Sequence, residues 1–108
     1  MSDYCFIESN SPLDSSDVAI NIGTTCNLAQ RGNNVVLFLV QNGVIPARQG
    51  VRSDTITAAV EAGVTVLADD FSLRERGIGA HELAPGVSAS PLESVIDNLA
   101  AGAKTVWH

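Results

Sequence analysis

Residues 35–40 read VVLFLV, six apolar side chains in succession with no polar residue among them. A strand with one face in water alternates apolar with polar, and a strand covered on both faces does not. This run therefore belongs in the middle of a parallel sheet with helices above and below. Shorter apolar runs recur at YCFI (4–7), VTVLA (64–68) and TVW (105–107), and helical patterns fill the gaps. The first helix has Asp14 as a candidate cap and sets Val18, Ile22, Cys26 and Ala29 along one face. The second starts near Ser53 or Asp54 and carries Ile56, Ala59 and Val60. In the last, Leu92, Val95, Ile96 and Leu99 follow the i, i+3, i+4, i+7 stripe that faces a core. Ser90 caps it, Pro91 suits its first position, and Glu93 closes a capping box. Glycine follows each helical stretch, at Gly32, Gly63, Gly77 and Gly102.

The order β-α-β-α-β-α-loop-α-β predicts an α/β fold, a three-layer α/β/α sandwich with a mostly parallel sheet. At 108 residues the chain reads as one domain, 1–108, that buries roughly 60–70% of the surface its unfolded form exposes. Segment 77–90, GIGAHELAPGVSAS, is the longest irregular stretch and the expected lid or partner contact, although Gly86-Val87-Ser88 suits a short fourth strand.

Charge narrows the partners. Twelve acids against six bases leave a net charge of -6, which repels phosphate backbones and disfavours nucleic acid. The N-terminal MSDYCFIESN lacks the basic start and apolar stretch of a signal peptide, and no run approaches the ~20 residues of a membrane span. The expectation is a cytoplasmic protein with no membrane partner and with Cys5 and Cys26 as free thiols.

In open α/β sheets, ligands sit outside the carboxyl ends of the strands. That rule selects 8–17, 41–50, the stretch after the third strand, and 77–90. Neither GxGxxG nor GxxxxGK[ST] occurs, which disfavours nucleotide phosphate and leaves no cofactor expected. In VTVLADDFSLRERG (64–77), Asp69 and Asp70 read first as caps of a short helix, with Ser72 and Glu75 offering a capping box one turn later. Arg74 and Arg76 sit where helix ends favour cations. A second reading has Asp69, Asp70 and Glu8 holding magnesium, but Lys104 begins the last strand instead of ending it as in receiver domains, and no metal is expected.

Asn42-Gly43 is a turn signal in which glycine is free to take positive φ, and its strand-end place makes it a pocket edge. Arg48 and Arg52 read as solvated cations with a lesser claim on a small anion. His81 reads as a solvated loop histidine, and His108 only as the last residue. Trp107 reads as a core or interface residue.

This layout, with FLVQNGV (38–44), RGI (76–78) and LAAGAKTVWH (99–108), resembles the DsrE/DsrF-like family of small sulfur-relay proteins over nearly the whole chain. The resemblance implies a five-stranded sheet, assembly into trimers or hexamers, a sulfur-carrier protein as partner and, in active members, persulfide transfer. Active members carry sulfur on a cysteine about eight residues before the glycine of the Arg-Gly pair. Counted back from Gly77, that place is Asp69, and a carboxylate holds no persulfide. The expectation is a binding or assembly member rather than an enzyme, with Asn42, Gly43, Asp69, Asp70, Arg76 and His81 around its pocket. The alternatives are a sulfurtransferase that uses Cys26 or Cys5, and a small-molecule or metal-binding domain. Against the former, Cys5 lies in a strand and Cys26 on an apolar helix face, where cysteine behaves as a small hydrophobe.

Overall fold

The computed structural model describes residues 2–11, 17–48 and 54–108. The elements are β1 (Asp3–Glu8), α1 (Asp17–Gln30), β2 (Asn34–Leu39), α2 (Asp54–Glu61), β3 (Thr65–Asp69), α3 (Asp70–Glu75), β4 (Val87–Ser90), α4 (Glu93–Ala100) and β5 (Lys104–Trp107). Two 3₁₀ segments, Gln41–Ala47 and Ala80–Glu82, complete the chain. The proposed caps Asp14 and Ser53, and Arg52, lie outside the described residues.

The five strands are all parallel, in the order β4-β3-β2-β1-β5. β2 is central, as its unbroken apolar run requires. Leu37 and Leu39 enter one core and Phe38 the other, all at 1% exposure or less. Parallel crossovers are right-handed, so reversing the direction of travel along the sheet moves the connecting helix to the opposite face. Strands β1 to β4 are laid down in one direction, and Val18 and Ile22 of α1, Ile56 of α2 and Leu73 of α3 all join the larger core. The chain then travels back past β1 to form β5, and Val95 of α4 joins a smaller core with Cys5, Ile7 and Phe38. The result is a three-layer α/β/α arrangement with unequal outer layers.

That inequality overturns one reading of the sequence. The α4 stripe does not all face a core: Val95 is buried, whereas Leu92, Ile96 and Leu99 are each at least half exposed. Among the described residues α4 is the one helix that joins this smaller core, and it does so through Val95 alone. The capping box also fails to form. Ser90 is the last residue of β4, in register with Asp69, and its hydroxyl meets that of Ser94. Leu92 stands at the N-cap instead, with no side-chain cap.

Segment 77–90 is ordered rather than an irregular lid. It holds a 3₁₀ turn and β4, and is strapped down by the Ala84 amide donating to the Ala47 carbonyl at 2.7 Å and by a bridge between Arg48 and Leu83. Arg48 also lies 3.8 Å from Glu82, an exposed pair of small energetic weight. No helix of the described residues is long and apolar enough to cross a membrane.

Candidate functional site

The chain leaves β3 toward α3 on one face and β4 toward α4 on the other, which opens a crevice at the carboxyl edge of the sheet. Asp69 ends β3 and is the N-cap of α3. Its Oδ2 accepts from the Ser72 amide at 3.0 Å and the Ser72 hydroxyl at 2.7 Å. The Ser72 Oγ in turn accepts from the Gln41 amide at 2.9 Å. Capping by Asp69 is thus realised, and the alternative box from Ser72 and Glu75 is not, because Ser72 is already inside the helix. Asp70 makes only an i,i+4 approach to Arg74 at 4.0 Å, exposed on both sides.

After β2 the chain turns at Gln41, whose φ of 52° is the one positive value outside glycine among the described residues. This corrects the reading of Asn42-Gly43, since Gly43 does not adopt positive φ. Glycine is needed there for close approach: a Cβ would collide with the Glu8 carbonyl oxygen. Asn42 and Arg76 meet across the edge, with Arg76 Nε and Nη2 donating to Asn42 Oδ1 at 3.3 and 3.0 Å and Nη1 donating to the Ser72 carbonyl at 3.3 Å. The turn after β2 and helix α3 are therefore clasped together.

Glu8 is 2% exposed at the end of β1, beside His108 just past β5. Both its carboxylate oxygens lie 2.9 Å from His108 Nδ1, and Oε2 accepts from the Asn10 amide at 3.0 Å. The Ser9 amide and hydroxyl donate to the His108 carbonyl, both at 2.8 Å, and the His108 amide donates to the Ile7 carbonyl at 2.8 Å. His108 is thus a structural clamp rather than an idle last residue. Glu8 is committed to it, which removes the third ligand of the magnesium reading. Among the described residues no group of three or more His, Cys, Asp or Glu is placed to hold a metal.

Between these features lies a cleft of about 250 Å³. Its floor is Val40, Gln41, Asp69 and Ser72, and its walls carry Phe71, Glu75, Leu92 and Trp107. Of the six proposed pocket residues, Asp69 lines this cleft, Asn42 and Arg76 brace it, and Gly43 packs behind it under Glu8. Asp70 and His81 do not line it; His81 is exposed in the 3₁₀ turn Ala80–Glu82. Trp107 is 65% exposed on the edge strand β5, so of its core and interface readings the core one is set aside. The sequence gives no sign that Phe71 and Glu75 face this cleft, because a six-residue helix is too short for periodicity, and the periodic stripe that includes Leu92 points to a core instead.

The two thiols differ. Cys5 is fully buried, and burial pushes its pKa above the ordinary 9.0, so the reactive thiolate is scarce. Cys26 is partly buried against the larger core.

No family model and no curated protein matches this chain. Among solved structures it is similar to the protein of unknown function MTH1491 from Methanobacterium thermoautotrophicum, with a TM-score of 0.86 and 19% identity over 100% of both chains. It is equally similar in extent to the ychN protein from E. coli, with a TM-score of 0.85 and 18% identity over 100% of both chains. A conserved protein of unknown function, BT1422 from Bacteroides thetaiotaomicron, gives 0.71 and 18% over 98% of this chain and 95% of that one. At such identities the likeness establishes the fold.

Proposed function

We propose that this chain is a DsrE-like cytoplasmic subunit of sulfur metabolism that binds and assembles rather than transferring sulfur itself. One observation carries the reading. At the place where active members of the family it resembles hold their cysteine stands Asp69, 8% exposed, at the strand-end cleft and bonded twice to Ser72. Asp69 ends β3 and caps the helix that follows, so the group at this position supplies structure instead of a nucleophile. Assembly as a trimer or hexamer, with a sulfur-carrier protein as partner, accords with the apolar side chains Ile96 and Leu99 left exposed on α4.

The test is a persulfide donor followed by intact-mass measurement. The wild-type protein takes up no stable adduct of about 32 Da, the mass of one sulfur atom. Asp69→Cys gains that adduct, because a thiol at the start of a helix is easily ionised. An adduct on the wild type that disappears in Cys26→Ala or Cys5→Ala would make the chain a sulfurtransferase and end this reading.

A further inference from the structure

We infer that the strand-end cleft is a binding site for a small organic cation, an alkylated ammonium head group on a short apolar body. The inference deepens the binding role proposed above and rests on it for the choice of site. Two aromatic side chains stand in its walls with their surfaces in water, Phe71 at 57% and Trp107 at 65% exposure. Aromatic faces attract cations through the negative charge of their π systems, and paired rings are how proteins hold quaternary ammonium groups.

The polar groups of the cleft carry the matching sign. Asp69 is more than nine-tenths buried and commits Oδ2 to Ser72; among the described residues its Oδ1 has no hydrogen-bond partner, yet it is not sealed from solvent. Glu75, one helical turn from Phe71 on α3, lies within salt-bridge distance of no cation among the described residues. The charged side chains that line the cleft are both carboxylates, and the nearby Arg76 has its guanidinium committed to Asn42 and the Ser72 carbonyl. Val40 and Leu92 supply apolar surface for alkyl groups. A volume of about 250 Å³ lies below the ~300–1,000 Å³ of sites for drug-sized molecules, which limits the occupant to a head group of few atoms.

Choline serves as the probe and Trp107, the single tryptophan of the chain, as the reporter. Titrated at constant ionic strength, choline produces a saturable change in tryptophan fluorescence. The neutral isostere, with a quaternary carbon in place of the nitrogen, binds at least about tenfold more weakly. Glu75→Gln and Phe71→Ala, both at exposed positions that leave folding intact, each weaken choline by about threefold or more. Three results overturn the inference: a response no different from sodium chloride, equal binding of the neutral isostere, or emission that shifts with protein concentration and ignores choline, which assigns the cleft to a second copy of the chain. Sedimentation of the same samples separates this failure from that of the assembly reading. An oligomer that ignores choline refutes only the cation site, and a monomer that binds it refutes only assembly.

Discussion

On one face of the sheet, Val18, Ile22, Leu37, Ile56 and Leu73 are at most 2% exposed beneath three helices. On the other, α4 is the one helix among the described residues; it buries Val95 and leaves Ile96 and Leu99 at 58% and 50% exposure. Apolar stripes at helical spacing are thus covered by the chain itself in one layer and left open in the other. An amphipathic stripe specifies that apolar surface must be covered, but not whether the cover comes from the same chain. Topology decides that, since the single reversal along the sheet sends one helix alone to the second face.

The difference is tested by equal truncations on the two faces. Ile22→Ala removes a fully packed side chain on α1 and leaves a cavity, at an expected loss of about 2–5 kcal/mol in urea unfolding. A loss below about 1 kcal/mol would mean that the larger core is not the one sustaining the fold. Next in size is Gly43→Ala, which forces a Cβ against the Glu8 carbonyl oxygen at the carboxyl edge. The carbonyl is already fixed by accepting from the Val40 amide at 2.9 Å, so backbone must shift, costing about 1–3 kcal/mol. An unchanged midpoint would show that the edge is softer than its hydrogen bonds indicate. Asp69→Ala follows, with about 1–2 kcal/mol from the lost cap. Asp69→Asn, which keeps an acceptor oxygen, restores most of that stability if capping is the role.

The well-finished face was largely legible in the sequence. VVLFLV declared a central strand, the spacing of Val18 and Ile22 declared the buried side of α1, and the Asp69 cap followed from its place between an apolar run and a short helix. What stayed hidden depends on sheet order, which no local pattern encodes. Glu8 and His108 are a hundred residues apart in sequence and meet only because β5 returns to the side of β1. Trp107 reads from the sequence as a core or interface residue, and only its place on the edge strand, with the ring 65% exposed, sets the core aside. At the turn after β2 the local signal pointed to Gly43, yet the positive φ falls on Gln41, whose amide is held by Ser72 from a helix far along the chain.

The smallest stability effect carries the sharpest contrast. In Ile96→Ala the truncated side chain is already 58% exposed in the isolated chain, so little apolar surface is returned to water and unfolding shifts by no more than about 0.5 kcal/mol. If α4 meets a second copy, the same methyl groups are buried there, and their loss weakens association by about fivefold or more. Sedimentation across a range of concentrations reads this directly, as a higher midpoint for assembly in Ile96→Ala and an unchanged one in variants of the opposite face that still fold. An assembly indifferent to Ile96→Ala would place its interface elsewhere. A loss comparable to that of Ile22→Ala in the dilute monomer would show that the two faces are not unequal after all. The contrast therefore rests on concentration: a buried core residue destabilises the chain at any dilution, and a residue waiting for a partner matters only when the partner is present.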